Sequence, residues 1–162
     1  MKQIQLPQIT KDHLLSTKVG DETSLIIPME QDCEPVFLYI QDRFYAVEEF
    51  VRVKGVDYIP WEGDPKCMNL VWIEASQMTP EQSRFHGVVV DVNVVQVKYL
   101  EMMENSYDKL GIQFDSRMLD MSYRPFQAMY NRLVFQHNEI HGLSIKPSLD
   151  DYVFYITIKR TK

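Results

Sequence analysis

Apolar and polar positions change period several times along this chain, and each change marks an element. Ile9, Leu14 and Leu15 fall at roughly helical spacing in ITKDHLLST, which predicts a short opening helix over 9–17. SLIIPM at 24–29 reads as a strand stopped by Pro28. In RFYAVEEFVRV, 43–53, Tyr45, Val47, Glu49, Val51 and Val53 share one side; Phe44, Ala46, Glu48 and Phe50 share the other. Both sides are mixed, as in a barrel strand that meets something on each face. Successive side chains on a strand alternate, so Glu48 and Glu49 point apart and make no adjacent acid–base pair. KGVDYIPWEGDPK is punctuated by Gly and Pro and reads as a strand end plus loop; LVWIEA at 70–75 predicts another strand, and SQMTPEQS a surface loop.

The strongest local pattern is RFHGVVVDVNVVQVKYL, 84–100. Val90, Val92 and Val94 alternate with Asp91 and Asn93, and then the phase flips so that Val95 and Val97 alternate with Gln96 and Lys98. A one-residue flip in a long strand predicts a β-bulge at Val94–Val95, a device that helps sheets curl. ENSYDKLGI predicts a helical turn ending at Gly111. Phe126, Met129, Tyr130, Leu133 and Val134 follow amphipathic-helix spacing behind Pro125. DYVFYITIK, 151–159, alternates as a final strand.

At 162 residues without repeat, low-complexity tract or linker, the chain is expected to be one domain, 1–162. The apolar share of 45% is that of an ordinary folded protein. No apolar run approaches the ~20 residues of a membrane helix, and MKQIQLPQ is too polar for a signal peptide. Cys33 and Cys67 are too few for a disulfide framework or a cysteine-only zinc site. The expectation is a reduced, cytoplasmic protein with no membrane partner and no cofactor. A net charge of −6 speaks against indiscriminate binding to nucleic-acid backbones. An RNA-binding role would need a local basic cleft, from residues such as Lys18, Arg43, Arg84, Lys98 and Lys159.

Other constellations have ordinary explanations beside their chemical ones. His137 and His141 are four apart, a spacing that can set two metal ligands on one helix face. Gly142 follows, so the pair also suits a helix end, where the dipole favours histidine; no metal site is expected. Asp57, Glu74 and Ser76 loosely imitate a metal-dependent nuclease core, but Ser76 stands where that core wants Lys. Tyr45, Trp61, Trp72, Phe85 and Tyr155 could stack on bases, although aromatics at alternating spacing are more often core.

Three segments carry a resemblance when taken in order: QDRFYAVEEF at 41–50, MTPEQSR at 78–84 followed by VVVDVNVVQV, and the closing PFQAMYNRLVF and DDYVFYITIKR. Together they resemble the ASCH family of PUA-like β-barrels, in the longer form common in bacteriophage genomes. Asp42, Arg43, Glu48 and the aromatic Phe50 match a family strand that reads Gly-Asp-Arg-Leu-Trp-Val-Arg-Glu-Thr-Trp. Met78, Ser83 and Arg84 match its Met-Pro-Arg-Trp-Ala-Ser-Arg segment. The resemblance implies an α+β fold, a PUA-like β-barrel with flanking helices. It implies a cleft between the opening helix, the strand holding Arg43 and the strand beginning at Arg84. Arg43, Glu48, Arg84 and Lys18 are the ligand-binding candidates it implies; the ordinary reading is that Arg43 and Arg84 neutralise nearby carboxylates such as Asp42 and Glu48. The host cytoplasm is the expected location if the chain is phage-encoded.

Characterised members of that family include amidohydrolases acting on N4-acetylcytidine, and others linked to RNA binding or cleavage. The amidohydrolases use a Gly-x-Lys-Thr-x-Thr segment and a glutamate before a later Gly. Here the segment reads STKVGDETS, so Val19 takes the Lys position and Glu22 the second Thr position. Sliding by one recovers Lys18 and Thr23 without their spacing, and Leu110 stands in the glutamate position. The resemblance therefore points to binding of RNA or a nucleoside or nucleotide without turnover. Two alternatives stand beside it. One is a module that docks on a host or phage protein through its acidic surface. The other is a residual amidohydrolase or ribonuclease using Lys18, Thr23 and Glu22.

Overall fold

The computed structural model describes residues 1–29, 39–53, 55–58, 71–112, 120 and 122–162. The fold is α+β. The elements run β1 (Lys2–Gln5), α1 (Gln8–Ser16), β2 (Glu22–Pro28), β3 (Arg43–Val47), β4 (Phe50–Val53), β5 (Val56–Tyr58), β6 (Trp72–Ile73), a 3-10 turn (Ala75–Gln77), β7 (His86–Gln96), a second 3-10 turn (Val97–Met102), α2 (Ser106–Lys109), α3 (Pro125–His141) and β8 (Tyr152–Arg160). Five strands form one sheet in the order β1-β3-β7-β8-β2, and three form a smaller one in the order β5-β4-β6. β1 pairs with β3 in parallel, and the other ladders of the large sheet are antiparallel. Among the described residues no ladder joins β1 to β2, so hydrogen bonds close no barrel.

Every strand of the large sheet nevertheless feeds one core. Ile4 of β1, Leu25 of β2, Phe44 and Ala46 of β3, Val89 of β7, and Ile156 and Ile158 of β8 pack together with Phe85 and with Leu14 of α1. The register explains which side chains these are: Val89 faces Ile158, Val92 faces Ile156, and Leu25 faces Ile156 from the other side. The opposite face is covered twice. Near β2 and β8, Ile26, Val153 and Tyr155 pack under Phe126, Tyr130, Leu133 and Val134 of α3. Near β3, Tyr45 and Val47 pack with Phe50, Ala75 and Met78. α3 begins with Pro125 in its first turn and ends on Gly142 in the left-handed region at φ 64°, as its sequence predicts.

Two expectations about strands need correction. The 43–53 segment is not one strand; it breaks at Glu48–Glu49, and the chain passes there from the large sheet into the small one. Both flanks are buried, which is why the sequence reads as covered on two faces. The bulge in β7 lies between Val89 and Asp91, not at Val94–Val95. Pairing from Asp91 to Gln96 against β8 is regular. The valine phase flips because cover changes sides: Val92 packs into the first core, while Val95 and Val97 pack beneath α3.

Among the described residues, no helix is long and apolar enough to cross a membrane.

Candidate functional site

The site begins with a serine and a glycine. Ser83, buried, donates its hydroxyl hydrogen to the Ala46 carbonyl (2.6 Å) and accepts the Phe85 N–H (3.2 Å). The Ala46 N–H also donates to the Phe85 carbonyl at 3.1 Å, so the entry to β7 is pinned against the end of β3. Gly87 lies opposite Phe44 in the ladder, and a Cβ there would sit 2.9 Å from the Phe44 ring. Its absence lets Phe44 and Phe85 pack with centroids 6.0 Å apart.

With Phe85 turned inward, Arg84 reaches Glu48. Its Nε donates to one carboxylate oxygen at 2.8 Å and its Nη2 to the other, a bidentate pair. Glu48 is nearly sealed, its side chain 9% exposed, whereas that of Arg84 is 41% exposed. Lys11 comes from α1 and stands 3.9 Å from Glu48 with a side chain 13% exposed. Among the described residues its ammonium donates no hydrogen bond. Burial lowers the pKa of Lys11; Glu48 pulls it up and Arg84 lowers it further, with a net lowering. Lys11, Glu48, Leu14, Leu15, Ala46 and Phe85 line a small cleft. Behind it Arg160 stacks on Phe85 at 5.3 Å and donates to the Leu15 carbonyl (3.2 Å) and the Thr17 carbonyl, tying β8 to the end of α1.

The other candidates from sequence are placed elsewhere. Arg43 is exposed and pairs with Val88 in the β3–β7 ladder, on the face opposite Phe44, away from Arg84. Lys18 is exposed in the turn after α1, where its backbone N–H donates to Asp21 at 3.2 Å. Glu22 is exposed at the start of β2, opposite Lys159. Val19 is 64% exposed.

Thr23 has a half-buried partner that the sequence did not suggest. His13 Nε2 lies 2.8 Å from Thr23 Oγ1 and 2.8 Å from the Lys109 carbonyl, and the Thr23 hydroxyl donates to that carbonyl at 2.9 Å. A carbonyl only accepts, so Nε2 carries the hydrogen and cannot take a proton from Thr23. The trio is a clip joining α1, β2 and α2 rather than a nucleophile with its base. Burial lowers the pKa of His13 against the pull of hydrogen bonds to the Lys109 and Ser24 backbone. Beside the clip is a second, small hollow, lined by Thr10, His13, Ser24, Leu110, Met129 and Leu133 among others. Leu110 is thus part of an apolar wall.

His137 is buried and His141 exposed, with ring centroids 4.5 Å apart. No group of three or more metal-ligating side chains occurs among the described residues. Glu74 and Ser76 flank the start of the first 3-10 turn, and Asp57 lies in β5. Tyr45, Phe85 and Tyr155 are core. Cys33, Cys67 and Trp61 lie outside the described residues. Lys11 is the residue that sequence reasoning missed. Its signal was present: a lysine one turn ahead of Leu14 and Leu15, on the flank of α1 that those leucines bury.

Comparison with known proteins returns no match. No protein-family model, no curated protein and no solved structure matches the chain.

Proposed function

We propose that the protein is an ASCH-type, PUA-like domain that binds RNA, or a nucleoside or nucleotide, in the cleft between α1, β3 and β7, without turning it over. The observation that carries this reading is the Lys11–Glu48–Arg84 cluster. In a chain of net charge −6, two cations surround one carboxylate at an apolar-walled cleft, and Arg160 adds a third cation behind Phe85. Arg84 satisfies Glu48, which leaves the Lys11 ammonium to receive phosphate or base oxygens. A common core fed by five strands and α1 supports the barrel-like part of the reading. Leu110 in an apolar wall, with Val19 and Glu22 exposed, supports binding over hydrolysis.

The test is titration of short RNA and of nucleosides and nucleotides at low salt, by anisotropy and calorimetry. Lys11→Gln should weaken binding by about 1–3 kcal/mol, the scale of a charged hydrogen bond. Because the Lys11 ammonium donates no hydrogen bond among the described residues, the melting temperature should move little. Wild-type protein that binds none of these ligands at low salt ends the reading.

A further inference from the structure

The hollow beside the His13 clip touches three consecutive residues of β2, Ser24, Leu25 and Ile26. Alternation puts the Leu25 side chain on the face opposite to those of its two neighbours, so a space touching all three runs along the strand's backbone edge. β8 occupies the other edge, and β2 has no second ladder among the described residues. The ladder also tells which backbone groups point into the hollow. Arg160 N–H donates to the Asp21 carbonyl and Met29 N–H to the Tyr152 carbonyl, so odd-numbered residues of this segment hold the bonded positions against β8. Pro28, which has no N–H, falls in the other set. Ser24 and Ile26 belong to that set too, and turn their N–H and C=O groups away from β8. Both are buried, and the Ile26 N–H has no partner among the described residues. Over the same edge α1 lays Thr10, one turn before His13; it is 6% exposed and its Oγ1 is likewise unpartnered among those residues.

We propose that this hollow binds one water molecule, which accepts the Ile26 N–H, shares a hydrogen bond with the Thr10 hydroxyl and donates to a carbonyl of the same strand edge. Buried backbone N–H groups are nearly always paired, with protein or with ordered water. The cavity volume is about 20 Å³, against the ~10–15 Å³ that a water requires, so the space admits a water and little else. Thr10, Ile26 and the edge carbonyls supply the about three partners that hold a buried water in place. The Ser24 backbone already meets His13, so imidazole and water together close the unladdered side of β2 beneath α1. A helix thus stands where a further strand would, and the water carries the hydrogen bonds that its side chains cannot make directly. Thr10 precedes Lys11 in α1, but the inference does not require the Lys11 cleft to bind anything.

The experiment joins a crystal structure of the full chain, at a resolution that shows ordered water, with thermal unfolding of Thr10→Val and Thr10→Ser. The expected density is a single peak within hydrogen-bond distance of both Thr10 Oγ1 and the Ile26 nitrogen. Valine keeps the branched shape and nearly the helix propensity of threonine but removes the hydroxyl. With a water bound, that change strands one of its hydrogen bonds. The melting temperature should then fall by roughly 2–4 °C, the scale of one net hydrogen bond in a chain of this size. Thr10→Ser keeps the hydroxyl, and a crystal of it should keep the peak. In a dry hollow the Thr10 hydroxyl is an unsatisfied buried group, so valine would be neutral or stabilising. That result overturns the inference, as does a wild-type structure with no density between Thr10 and Ile26.

Discussion

Arg84 grips both oxygens of Glu48, and Ser83, its neighbour in sequence, is bonded to the Ala46 carbonyl two residues before that glutamate. The pairing is therefore a property of the backbone junction between β3 and β7 as much as of the two side chains. Removing the arginine leaves a nearly buried carboxylate with Lys11 at 3.9 Å as its remaining close cation among the described residues. Arg84→Ala should cost about 1–3 kcal/mol of stability, the scale of an unsatisfied buried polar group. Adding Glu48→Gln should restore part of that loss. Denaturant unfolding of the two singles and the double gives the coupling, and additive losses would contradict the pair.

Ser83→Ala removes the hydroxyl between two backbone segments without changing the apolar volume much. A loss of about 1–2 kcal/mol is expected. Weaker ligand binding should accompany it, since Arg84 is positioned through this junction. A variant as stable as wild type would show that the ladder alone holds the junction.

Gly87→Ala should destabilise by about 1–3 kcal/mol, because the new methyl meets the Phe44 ring at 2.9 Å in a packed core. The companion Phe44→Leu should relieve the clash while forfeiting aromatic packing. Thermal unfolding of the pair checks both; a neutral Gly87→Ala would mean that the ring yields.

His13 gives the protein an acid-sensitive element. Its folded pKa lies below the ordinary 6.5, so the unfolded chain takes up the proton first as pH falls. The stability from the neutral ring is complete above pH 6.5 and declines as pH drops through 6.5 toward the folded value. His13→Gln, which can still donate to the Lys109 carbonyl, should flatten the curve of melting temperature between pH 7.5 and 5. An unchanged slope would assign the acid response to other groups.

Hydrolysis of N4-acetylcytidine should be absent, because Leu110 presents no proton-moving group and Lys18 is exposed in a turn. Turnover well above buffer, abolished by Lys18→Ala, would show that a shifted site operates.

The parts of the fold that depend on local periodicity were legible in the sequence. Pro125 and Gly142 bracket α3, and the alternation of residues 151–159 becomes β8. The break at Glu48–Glu49 was not legible, because a strand buried on both faces hides a change of sheet. The bulge was misplaced because valines report which face is covered, and α3 changes that locally. At the site, Glu48 and Arg84 were named both as ligand-binding candidates and, in the ordinary reading, as a charge pair; the pair is what forms, on the register that sets Tyr45 against His86. Arg43 obeys the same register, and alternation sends it to the other face.

The position of β8 also governs when the protein can fold. β2 has no ladder among the described residues except with β8, where Leu25 must find Ile156, and β7 likewise pairs from Gly87 to Gln96 with that last strand. Until β8 arrives, β2 and one side of β7 keep rows of unpaired backbone groups next to apolar side chains, a template for pairing with other chains. Pairing so distant in sequence is slow, because loop closure must be paid before contacts reward it. During synthesis the large sheet stays incomplete until β8 has left the ribosome, and that strand acts as the latch.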